Sequence, residues 1–124
     1  MNVHVSWDDA EQTIIRYDFD GNWTWDEFHA AAHEAYAMTR SVEHRVHTIS
    51  YFRPGAMIPP DALVQFRLAM SNAPANRGVT VIVGGSRFTR TLVEVFSKIN
   101  RTLGERLKLA HSLEEARQII SELQ

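Results

Sequence analysis

The chain has 124 residues, 44% hydrophobic and 23% charged, with a net charge of −2 and no cysteine. These values describe one ordinary globular domain spanning 1–124, and they exclude a disordered chain, a disulfide framework, a thiolate metal site and a cysteine nucleophile. The weak net charge argues against a nucleic-acid partner. No apolar run reaches the roughly 18 residues of a membrane helix, and Met1-Asn2-Val3-His4 lacks the basic and apolar regions of a signal peptide, so the expectation is a cytoplasmic protein with no membrane span.

Val3-His4-Val5-Ser6-Trp7 alternates apolar and polar residues, as a half-buried strand does. Asp8-Asp9-Ala10-Glu11 supplies turn residues, and Thr13 to Phe19, rich in β-branched and aromatic side chains, reads as a second strand. The two most simply form an antiparallel hairpin. Asp20-Gly21-Asn22 breaks the strand. Thr24-Trp25-Asp26-Glu27 then has the form of a capping box, and Trp25, Phe28, Ala32, Ala35 and Met38 follow as one apolar helical stripe. Arg45 to Phe52 is a third strand, followed by a loop from Arg53 to Pro60. A helix opening at Pro60 or Asp61 buries Leu63, Phe66 and Met70.

Val79-Thr80-Val81-Ile82-Val83 reads as a strand covered on both faces. Gly84-Gly85 turns the chain and Ser86 caps a third helix, whose apolar positions are Phe88, Leu92, Val95, Phe96, Ile99 and Leu103 and whose stop is Gly104. Leu107-Lys108-Leu109 is a short edge strand. Ser112-Leu113-Glu114-Glu115 is a second capping box, before a last helix with Ala116, Ile119, Ile120 and Leu123 on one face. The fold class is therefore α/β, in the order β-β-α-β-α-β-α-β-α, with a mostly parallel mixed sheet flanked by helices.

Charge is unevenly spread along this order. Residues 1–34 hold eight acids against one base, a charge of −7; residues 35–110 hold eleven bases against four acids, a charge of +7. Such asymmetry either steers partners or neutralises itself across the folded surface, the latter being the ordinary outcome.

The element order resembles that of STAS domains, the fold of bacterial anti-sigma-factor antagonists, and more closely the SpoIIAA-like group related to Sec14-type lipid-binding domains. Gly21-Asn22-Trp23-Thr24-Trp25, Met57-Ile58-Pro59-Pro60-Asp61-Ala62-Leu63 and His111-Ser112-Leu113-Glu114-Glu115-Ala116 carry the resemblance. It implies a bacterial regulatory, protein-binding domain. STAS regulators usually carry a phosphorylatable Ser or Thr after an Asp where the third strand leads into the second helix. Here that place falls near Pro59 and Pro60, so the resemblance implies the scaffold without the usual switch.

Two segments are candidates for binding. Gly84-Gly85-Ser86, with Arg87 and Arg90, combines outward backbone N–H groups, a helix start and two cations, which suits a phosphate or carboxylate; a tight turn with a cap is the plainer reading. Tyr51, Arg53, Met57 and Ile58 form a partner surface or a pocket lid, unless they fold back onto the sheet. Loops after the carboxyl ends of parallel strands share one rim, where ligands usually sit.

His29 and His33 share a helix face, but no third ligand is placed by the sequence, so no metal is expected. No nucleophile elbow or carboxylate dyad stands out, so no catalytic residue and no cofactor is expected. The leading expectation is a non-enzymatic regulatory or protein-interaction module. The alternative is a carrier or sensor of a small amphipathic or anionic ligand, a lipid or a phosphate-bearing metabolite, bound at the carboxyl rim. An uncovered sheet edge would also allow a homodimer.

Overall fold

A computed structural model describes residues 2–99 and 105–123. Leu103 and Gly104 lie outside the described residues, as do the side chains of Phe88 and Ile99. The described elements are β1 (Val3–Trp7), β2 (Ile14–Phe19), α1 (Trp25–Arg40), β3 (Val46–Phe52), α2 (Ala62–Met70), β4 (Arg77–Gly84), α3 (Arg87–Ile99), β5 (Leu107–Ala110) and α4 (Leu113–Ser121). They follow the order expected from periodicity and turn residues.

The five strands lie side by side in sequence order, with β1 antiparallel to β2 and every later pair parallel. When parallel strands are added consecutively through crossovers of one hand, the crossover helices share a face. Accordingly, Phe28 of α1 and Ala69 of α2 pack with Ile15, Tyr17, Phe19 and Phe52 of the sheet. The helix α4, which follows β5, covers the opposite face: its Ala116 and Ile120 pack on Ile14, Ile49, Val81, Val83 and Ala110. The two faces are called here the crossover face and the α4 face.

Local chemistry explains where the helices begin. Thr24 accepts from the Glu27 N–H at 3.2 Å, and the Glu27 carboxylate accepts from the Thr24 N–H at 3.1 Å, a complete capping box. Ser112 caps α4 through the Glu115 N–H at 3.0 Å, but Glu115 reaches back to the N–H of His111 rather than of Ser112. Helix α2 differs: its N-cap, Asp61, is left-handed at φ 76° and makes no side-chain cap. The Asp61 carboxylate instead accepts from the Gln65 side chain at 3.1 Å.

The aromatic residues concentrate at one end of the crossover face. Phe19 and Phe52 stack with centroids 4.4 Å apart, and Trp23, 2% exposed, meets Phe19 at 4.8 Å and Trp25 edge-on at 4.8 Å. Each such pair adds about 0.5–1.5 kcal/mol to the gain from burial.

Candidate functional site

Helix α2 leans on α1 more than on the sheet. Tyr36 donates to the Ala69 carbonyl at 2.9 Å, and His29 Nε2 meets Gln65 Oε1 at 2.7 Å. Phe66 packs edge-on against Trp25 and Phe28, at 5.1 and 5.4 Å. Held in this way, α2 and the neighbouring α3 roof the sheet without filling the space beneath. The result is a cavity of about 110 Å³ on the crossover face. Leu63, Phe66 and Met70, expected to be buried, are half-buried because they border it.

The floor of the cavity is polar in the middle. In the register of β3 and β4, Thr48 stands beside Thr80 and Ser50 beside Ile82. All four residues line the cavity, where a closed core would carry larger apolar side chains. Among the described residues, the hydroxyls of Thr48, Ser50 and Thr80 have no hydrogen-bond partner. Burial pushes the phenols of Tyr17 and Tyr36 above their ordinary values, keeping both neutral donors at physiological pH.

Arg77 closes one end, and a β-bulge aims it there. Val46 pairs with Arg77 and Thr48 with Thr80, so two steps on β3 oppose three on β4. Without the extra residue, Arg77 would point to the α4 face, because side chains alternate along a strand. The bulge is locked by His47, whose Nδ1 accepts from the Val79 N–H at 3.0 Å. Only glycine fits beside that ring: a Cβ at Gly78 would lie 2.2 Å from His47 Nδ1. Burial, with a smaller contribution from Arg45, holds the His47 pKa below its ordinary value, which suits an acceptor nitrogen.

Among the described residues, the Arg77 guanidinium has no acidic partner, and its Nε is buried without an acceptor. Burial first, and the nearby Arg106 second, lower its pKa. Sequence reasoning missed Arg77 because it began the fourth strand only at Val79, whereas β4 starts at Arg77. The signal was there in Arg77-Gly78 at the mouth of a strand, since a glycine in a strand marks a bulge or a close approach.

The residues singled out from the sequence are dispersed. Gly84 and Gly85 are left-handed at φ 77° and 80°, and a Cβ at Gly84 would lie 2.4 Å from the Phe52 carbonyl oxygen. Ser86 accepts from the Thr89 N–H at 3.4 Å, and Arg90 reaches the Ala110 carbonyl, also at 3.4 Å. Arg87 is exposed. The segment thus serves as a turn and cap, with one of its two cations turned toward β5.

The loop after β3 divides. Arg53 stacks over Tyr51 at 5.5 Å and pairs with Asp18 at 3.5 Å on the α4 face. Ile58 lines the cavity, and Met57 is 61% exposed. His29 is engaged by Gln65 while His33 is exposed, and no group of three or more potential metal ligands occurs among the described residues. No helix is long and apolar enough to cross a membrane among the described residues.

A small part of the uneven charge is paired on the α4 face. Arg117 grips Asp8 with two bonds of 2.8 and 2.9 Å, Arg16 bridges Asp8 and Asp18, and Arg53 completes the row. Asp18 thereby meets Arg53 after β3 and Asp8 meets Arg117 of α4, while Arg16 comes from the same first third as both acids.

Comparison with known proteins finds no matching family model, no matching curated protein and no matching solved structure.

Proposed function

We propose that the protein is a non-enzymatic carrier or sensor that encloses a small amphipathic molecule between the crossover face of its sheet and helices α2 and α3. One observation carries this reading: the cavity of about 110 Å³, apolar in its walls, with three hydroxyls on its floor that lack partners among the described residues. Ligand sites are concave, mostly apolar and equipped with a few polar groups that fix orientation, and a cavity of about 150 Å³ is known to admit benzene. The size therefore favours a compact ring or branched chain over a long acyl chain. The resemblance to STAS and SpoIIAA-like domains supports a regulatory scaffold, and the prolines at the usual switch position favour a ligand over a phosphoryl group as the signal. The bound molecule lies under the helices in this reading, rather than on the rim at Gly84 to Arg90.

The test is thermal shift and methyl NMR with benzyl alcohol as the probe. The wild-type protein is expected to gain stability and to show shifts at Ile82 and Leu92, and Ser50→Leu, which fills the floor, to lose both effects. A wild-type protein that ignores benzyl alcohol in both measurements refutes the reading.

A second reading, a protein-interaction module, is favoured by the outer surface of α2. Val64 and Leu68 of α2 are 50% and 53% exposed, and Met57 of the loop before it is 61% exposed. Capture of a defined partner that is lost on changing Val64 and Leu68 to Asp, in a variant that still binds benzyl alcohol, would favour it.

A further inference from the structure

We infer that the ligand of the cavity is a small monocarboxylic acid with an apolar body, and that Arg77 binds its carboxylate. The inference rests on the proposed ligand-binding role and specifies its chemistry.

The cavity is chemically two-ended. Phe19, Phe28, Phe52 and Phe66 crowd the end near the carboxyl ends of β2 and β3. Arg77, at the first position of β4, occupies the other end, and Tyr36 from α1 and Leu107 of β5 are among the residues that line the cavity with it. A ligand lying along the strands would therefore set its apolar body among the phenylalanines and its polar group at Arg77.

The charge of that polar group follows from what surrounds Arg77. A guanidinium stays protonated even when partly buried. Removing it from water without a counter-charge is costly, and such groups are normally paired. Among the described residues Arg77 has no acid, its Nε has no acceptor, and the cation Arg106 acts on it by repulsion. Tyr36 already donates its hydroxyl hydrogen to Ala69, leaving its oxygen as an acceptor only. An anion satisfies this end, and a planar carboxylate matches the fork of a guanidinium.

Size selects the rest of the molecule. At about 110 Å³, less than the roughly 150 Å³ known to admit benzene, the cavity limits the body to at most a single ring or a short branched chain with one acid group. The bulge makes the placement specific: Gly78 and the His47 acceptor turn Arg77 to the crossover face, so His47 is a positioning residue for the anchor.

The experiment compares benzoate, benzyl alcohol and phenyl phosphate on the intact protein by calorimetry and NMR, with Arg77→Gln and Arg77→Lys alongside. Benzoate is expected to bind about 10- to 100-fold more tightly than benzyl alcohol, the range set by charge-assisted hydrogen bonds. Arg77→Gln should erase that preference and leave benzyl alcohol within about 3-fold of wild type, while Arg77→Lys should retain part of it. Equal binding of benzoate and benzyl alcohol by the wild type overturns the assignment but leaves the ligand-binding role standing. Binding of neither overturns both. Tighter binding of phenyl phosphate than of benzoate overturns the carboxylate in favour of a dianion. If neither variant folds, the wild-type preference alone decides.

Discussion

The two faces of one sheet are built differently. On the α4 face, Ile49, Val81, Val83 and Ala110 are at most 1% exposed, and Ala116 and Ile120 of α4 close over them. Beyond α4 the same face is finished by a row of alternating charges from Arg117 to Arg53. On the crossover face three helices are available, yet hydroxyl residues occupy the middle of β3 and β4 and the helices stand off them. One helix with small and branched residues can therefore seal a sheet more completely than three helices over threonine and serine. Packing is tightest on the first face, and the proposed binding cavity lies on the second.

The largest expected effect tests that division directly. Ile49→Ala, at 0% exposure, should cost about 3–5 kcal/mol, whereas Leu63→Ala, half-buried beside existing space, should fall at the low end of the range, about 2 kcal/mol. Urea denaturation of both variants measures the difference. Equal losses would mean that the crossover face is packed as tightly as the other.

A middle-sized effect concerns acid. The Asp8 carboxyl is held below its ordinary value of 3.8, chiefly by its hydrogen bonds to Arg117. A depressed carboxylate stabilises the fold above its unfolded pKa, and that contribution is lost as pH falls through the folded value. The buried His47 also has a depressed pKa: below 6.5 the unfolded chain takes up a proton that the folded one resists, so stability declines as pH falls from there. Asp8→Asn should cost about 1–2 kcal/mol at neutral pH and flatten the lower decline, and His47→Gln should flatten the upper one. Equilibrium unfolding across pH 3–8, a range chosen about these ordinary values, reads both; an unchanged profile in either variant removes that group from the acid response.

The smallest effect is expected at Met57, which is 61% exposed. Met57→Ser should alter stability by less than about 0.5 kcal/mol and leave benzyl alcohol binding intact. A large loss in thermal melting would show that this loop belongs to the roof of the cavity.

Much of the fold was legible because its signals are local. Thr24 with Glu27 marked the start of α1, the run from Val79 to Val83 marked β4, and Gly84-Gly85 marked a turn that only positive φ allows. The candidate binding residues were less legible. Gly84 to Arg90 and Tyr51 to Ile58 were grouped by proximity to one rim, but side chains alternate across a strand, so Tyr51 of β3 packs on the α4 face while Ile58 of the following loop lines the cavity. Thr48, Ser50 and Thr80 passed as ordinary strand residues, because nothing in a two-residue period tells whether the facing helix comes down onto them.

The sequence by itself determined the elements, their order and which residues of each regular strand share a face, since these depend on neighbours two to four positions apart. Tertiary structure decided the rest. The cavity exists because α2 is tied to α1 by Tyr36–Ala69 and His29–Gln65. Arg77 enters it because two steps of β3 oppose three of β4. Both facts are relations between segments more than 30 residues apart, and a pairing register is a property of two strands together, which no local pattern contains.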